Sequence, residues 1–112
     1  MTESQEDGPP PFDQALADSY LGKYILVGIT YFSHAQEIVR RDQLHGVIAS
    51  ASAAGIVVEL KGTNIGRSWT MPPDLSAISW AKPGRYSLKE TGETVEDPDL
   101  LCTWSITQPQ KH

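Results

Sequence analysis

His45 and Cys102 are the two residue types that a thiol nucleophile activated by an imidazole would need. They lie far apart in the sequence, and nothing local to either supports that pairing. His45 precedes Gly46 in a segment of alternating polarity that puts the imidazole on the outer face of a strand. Cys102, the only cysteine, has the character of a small core residue, because free cysteine is among the most buried residue types. The acids offer a second possibility. Asp97 and Asp99 flank Pro98, with Glu93 and Glu96 close by, and hard cations such as calcium bind clustered carboxylate oxygens. The spacing lacks the alternating ligands, central glycine and terminal glutamate of an EF-hand loop, so the segment reads as a turn fixed by an Asx hydrogen bond and a proline. His34 and Glu37 have no further ligands near them, and no metal site is expected.

Gly62 to Gly66 contains two glycines but not the Gly-x-x-x-x-Gly-Lys-Ser/Thr pattern that cradles a phosphate, and it reads as a hairpin loop. Ser33-His34 has no third member in view, and no Gly-x-Ser-x-Gly elbow occurs. The sequence thus offers no catalytic residue, metal or cofactor, and an enzyme ranks third among the functional readings.

Basic residues do stand beside aromatics: Lys23 with Tyr24, Arg67 with Trp69, Trp80 with Lys82, Arg85 with Tyr86. Small barrels bind single strands by stacking bases on aromatics between cations, although in-phase Trp and Tyr also supply the largest core side chains. The net charge of −5 opposes a general nucleic-acid binder. The distribution softens that objection, because residues 20–89 hold eight Lys or Arg against four Asp or Glu while both ends are acidic. Arg40, Arg41, His45, Lys61 and Arg67 form the candidate binding surface, and Arg40, Arg41, Lys61 and Arg67 would serve a nucleic-acid binder.

These residues must be positioned by strands. The 112 residues suffice for one core. Residues 1–19 carry five acids, no Lys or Arg, and Pro9-Pro10-Pro11, and they read as a flexible acidic tail in which Phe12 and Leu16 begin to dock through a helical turn across Asp13 to Ser19. Residues 20–108 read as one domain. From Lys23 the chain runs Tyr-Ile-Leu-Val-Gly-Ile-Thr-Tyr-Phe, a strand with Ile25, Val27, Ile29 and Tyr31 inward. Residues 33–42 are a loop or the bent extension of a long hairpin. Residues 43–50 and 56–60 alternate on either side of Ala53-Ala54-Gly55 and form a hairpin. Arg67 to Met71 is a short strand stopped by Pro72-Pro73, Asp74 starts a single turn, and Ile78 with Trp80, Tyr86 with Leu88, and Trp104 with Ile106 mark later strands. The expected core is Ile25, Val27, Ile29, Ile56, Val58, Leu60, Trp69, Trp80, Trp104 and Ile106. Six or seven short strands in this order predict an all-β, SH3-like or Sm-like small barrel.

The stretches Trp-Thr-Met-Pro-Pro-Asp-Leu-Ser at 69–76, Pro-Gly-Arg-Tyr-Ser-Leu at 83–88 and Asp-Pro-Asp-Leu-Leu-Cys-Thr-Trp at 97–104, together with Gln43-Leu44-His45-Gly46, resemble a group of short uncharacterised bacterial proteins. The resemblance covers most of residues 20–107 and implies a bacterial cytosolic small barrel, with no activity or site residue to carry over. A lone cysteine fits a reducing compartment, and no apolar run reaches the length of a membrane span, so a cytoplasmic location without membrane contact is expected. The leading reading is a non-enzymatic module that binds protein, another copy of itself included, through an open strand edge or the loop face around residues 33–42. Single-stranded RNA is the alternative partner.

Overall fold

β-Branched and aromatic residues with period-two polarity build strands wherever the expected alternation occurs. The computed structural model describes residues 12–108, which hold one short helix and eight strands. These are α1 (Gln14–Ser19), β1 (Tyr24–Phe32), β2 (Ile38–Ser52), β3 (Gly55–Leu60), β4 (Ser68–Met71), β5 (Ile78–Trp80), β6 (Arg85–Ser87), β7 (Thr94–Glu96) and β8 (Leu100–Thr107). Six of the strands form one sheet in the order β4-β3-β2-β1-β8-β5, and β6 and β7 form a separate hairpin.

The sheet is open, which corrects the expected barrel of six or seven strands. Its two outer strands do not meet. β4 ends at Pro72-Pro73, whose nitrogens have no hydrogen to donate to a ladder, and β5 spans only Ile78–Trp80. At the centre, β1 pairs antiparallel with β2 and parallel with β8, from Ile25 opposite Leu100 to Phe32 opposite Thr107. Residues 33–42 resolve as the bent hairpin, turning at 33–37 and carrying a register shift between Tyr31 and Phe32.

Alternation sends Ile25, Val27, Ile48, Ile56, Val58, Met71 and Leu100 to one face, where all are fully buried. Helix α1 covers part of that face. Asp13 caps it by accepting from the Leu16 amide at 3.0 Å, Gln14 Nε2 donates to the Ala51 carbonyl at 3.0 Å, and Ala17 and Tyr20 are buried in the core. Residues 12–19 therefore form a docked segment of the domain, while residues 1–11, with the triple proline, lie outside the described residues. On the opposite face the β6–β7 hairpin lays Leu88 and Val95 on Leu26, with Tyr24, Tyr86 and Leu101 at the margin.

The aromatic part of the expected core needs correction. Trp80 is 59% exposed, because it ends a three-residue edge strand and meets Tyr20 edge to face at 5.8 Å. Ile106 is 39% exposed, and Trp69 and Trp104 are only half-buried. Their places in the deep core are taken by Ile48, Met71, Leu100 and Cys102. Among the described residues no helix is long and apolar enough to cross a membrane.

Candidate functional site

Three strands outrun their neighbours. β3 pairs with β2 only from Gly46 to Ser52, and β5 pairs with β8 only from Leu100 to Cys102. Residues 28–32 of β1, 38–44 of β2 and 103–107 of β8 therefore project as a three-stranded wing with two outer edges that no strand pairs among the described residues. Ile38, Val39 and Ile106 are exposed on it.

The two edges differ chemically. Along β2 lie Arg40, Arg41 and Asp42, beside the register shift, and charge and bulging are the devices by which proteins blunt an edge. Arg40 pairs with Asp42 at 3.3 Å and lies 4.2 Å from the centre of the Tyr31 ring. Along β8 the run Thr103-Trp104-Ser105-Ile106-Thr107 carries no charge, no proline and no register shift. A cleft of about 250 Å³ opens where the β2 edge meets the loops after β3 and β6, lined by Arg41, Asp42, Gln43, Leu44, Asn64, Glu90 and Thr91. A second, of about 170 Å³, continues over Gly28 and Thr30 toward Thr103 and Ser105.

The expected binding residues are dispersed. Arg40 and Arg41 are successive strand residues, so their side chains leave opposite faces of the sheet. Lys61 is half-buried, Arg67 is exposed beyond β3, and Arg41 shares its cleft with the Glu90 carboxylate. His45, expected on an exposed face, is 7% exposed because the β6–β7 hairpin lies over that side of the sheet. Cys102 is in the core as expected, and burial pushes its thiol up to about 11, leaving it a poor nucleophile at neutral pH.

His45 instead anchors a buried polar chain. Its Nδ1 lies 2.7 Å from the Tyr24 hydroxyl, its Nε2 lies 3.1 Å from Glu93 Oε1, and Glu93 Oε2 accepts from the Thr63 amide at 2.9 Å. The hydrogen-bond network assigns the Nε2 proton to the side facing the carboxylate, leaving Nδ1 to accept from Tyr24. Burial raises the Tyr24 pKa and the negative charge of Glu93 adds to it, so the phenol stays protonated. Burial by itself would raise the Glu93 carboxyl, but hydrogen bonds from His45, Thr63 and Thr91 outweigh it and hold the group below its ordinary range. Gly62, at φ 66°, completes the fit: a Cβ there would lie 2.7 Å from His45 Nε2 and strike Glu93 Oε2.

This chain ties β1, β2, the loop after β3 and the hairpin loop together, and neither cleft is lined by Tyr24 or His45. Its role is to clamp the hairpin onto the sheet. Glu93→Gln is expected to lower stability by about 1–2 kcal/mol at neutral pH. The folded carboxyl titrates below the unfolded value near 4.5, so its contribution is complete above that pH and is lost as the pH falls through the folded value. Thermal melts of the two proteins should therefore converge in acid, and a gap that widens in acid would contradict the clamp.

His45 and Glu93 lie 48 positions apart in the sequence, and no local motif links them. Among the described residues no group of three or more His, Cys, Asp or Glu is placed to hold a metal ion. No protein-family model, curated protein or solved structure matches this chain.

Proposed function

We propose that this chain is a non-enzymatic protein-interaction module that receives a strand from its partner on a free edge of the wing. One observation carries the reading: among the described residues Thr103 to Thr107 of β8 is an unpaired, uncharged edge rich in β-branched residues, whereas the β2 edge is charged and bulged and β4 and β5 are short. Main-chain hydrogen bonds along such an edge supply affinity, and the alternating side chains supply selectivity. The β2 edge and its clefts border the same wing and offer charged groups that exclude unsuitable partners. Dispersal of the basic residues, the Arg40–Asp42 pair and the net charge of −5 weigh against RNA, which requires a continuous cationic track.

The test is capture on the immobilised domain from native cytosol, with and without nuclease, using the natural chain and Ser105→Pro. Proline in place of Ser105 deletes one outward amide of β8, a change that edge strands tolerate. Capture that survives nuclease and is lost with Ser105→Pro is the expected result. Capture abolished by nuclease, and weakened by Arg40→Ala with Arg41→Ala, would replace this reading with single-stranded RNA binding.

A further inference from the structure

β8 presents its outer backbone groups in a defined phase. Successive amides of a strand point to alternate sides, and the Gln108 amide bonds inward to the Phe32 carbonyl at 2.7 Å. The amides and carbonyls of Thr103, Ser105 and Thr107 therefore face outward from β1. The same alternation accounts for Ser79 opposite Leu101, where β5 uses the outward groups lower on the strand. Above Cys102 no strand of the described residues takes them.

The five residues are symmetric by type about Ser105: Thr, Trp, Ser, Ile, Thr. We infer that the occupant of this edge is β8 of a second copy of the chain, paired antiparallel about a two-fold axis through Ser105, so that two six-stranded sheets become one. The inference rests on the edge-recognition reading above and names its partner. In this register Ser105 meets its own copy, Thr103 meets Thr107, and Trp104 meets Ile106, each of the last two pairs occurring twice, as a two-fold interface requires.

The phase of the backbone agrees with the register. Positions 103, 105 and 107 become the hydrogen-bonded pairs, and Trp104 opposite Ile106 becomes the non-hydrogen-bonded pair, in which side chains approach most closely. Aromatic against β-branched is a favourable cross-strand combination, and it would cover Ile106, now 39% exposed, and the half-buried Trp104. The β2 edge is less suited to this, since a two-fold register centred on Arg40, Arg41 or Asp42 sets a charge against its own copy, and the register shift beside it bends the strand. β4 offers four residues before a double proline and β5 three. A ladder of five residues is a small interface, so the dimer is reversible and dissociates on dilution.

Thr103, Ser105 and Thr107 are exposed on one face of the sheet, which permits a charge-exchange test that leaves the core intact. Sedimentation velocity over a dilution series should show a dimer for the natural chain. T103K/S105K/T107K and T103E/S105E/T107E should each raise the dissociation constant by about tenfold or more, and an equimolar mixture should restore association as a mixed dimer. Thermal melts of the variants verify that they remain folded. As a second readout, S105C should be joined to its own copy by a short bis-maleimide, because Cα atoms in a hydrogen-bonded antiparallel pair lie only about 5.5 Å apart. The natural chain, its single thiol buried, should not cross-link.

A natural chain that stays monomeric at every concentration overturns the inference, as does a dimer unaffected by either triple variant. In the monomeric case, nuclease-resistant capture lost with Ser105→Pro would leave the interaction module standing with a different partner. Loss of both results would remove the module as well.

Discussion

Gly46→Ala is expected to leave the chain unfolded, although it adds one methyl group. Gly46 stands at the middle of the sheet, opposite Ile25 of β1 on one side and Leu60 of β3 on the other. A Cβ built there would strike the Glu59 carbonyl oxygen and lie 2.8 Å from its carbon and 2.9 Å from Leu60 Cα. All three atoms are backbone, so no rotamer change relieves the overlap. The remaining relief is to move β3 off β2, which breaks the ladder where the Lys61 amide donates to the His45 carbonyl at 2.8 Å and disturbs the clamp beyond it. Ordinary overpacking costs about 1–3 kcal/mol, and a backbone collision at the sheet centre exceeds that, approaching the roughly 5–15 kcal/mol total stability of a domain. Circular dichroism should show loss of the strand signal at all temperatures. A cooperative melt close to that of the natural chain would mean that β2 and β3 are not in this register.

Val58→Asp should have an effect of similar size by a different route. Val58 is fully buried, paired with Ile48 on one side and Trp69 on the other, and no cation stands among the core residues around it. An unpaired carboxylate there costs several kcal/mol whether it ionises or takes up a proton. The neighbouring Glu59 points to the other face and is exposed, so Glu59→Gln should change stability by no more than about 0.5 kcal/mol. The contrast between adjacent residues reads the phase of β3 directly. Equal melting of Val58→Asp and the natural chain would invert the assigned faces.

The inward phase of β1 and β3 is legible because the Ile25, Val27, Ile29 and Ile56, Val58, Leu60 sets are apolar throughout while the alternate sets include Gly28, Thr30 and Glu59, and alternation depends on nothing outside the strand. The prolines at 72 and 73 and the capping role of Asp74, which accepts from the Ser76 amide at 3.1 Å, were legible for the same reason. The depth of Trp80 is not legible, because the phase of β5 fixes its face while its burial depends on a neighbour that the sheet does not supply. Closure is illegible on similar grounds: turn spacing counts strands but does not say whether β4 meets β5. The parallel pairing of β1 with β8 joins residues at opposite ends of the fold and leaves no mark in either segment. His45 followed the same pattern. Its face was correctly opposite to Leu44 and Ile48, but the hairpin that buries it arrives from residues 85–96. Of the candidate surface, the loop region around 33–42 does project, and the free β8 edge beside it emerges only from knowing where β5 stops.

The free edge is the claim on which the functional reading stands, and backbone amide hydrogen exchange followed by NMR tests it most directly. In dilute protein the amides of Thr103, Ser105 and Thr107 should exchange rapidly while those of Trp104 and Ile106, turned toward β1, stay protected; raising the concentration should bring protection to the first three. Thr103, Ser105 and Thr107 amides already protected in the dilute monomer would show that another part of the chain covers this edge, and would contradict the account.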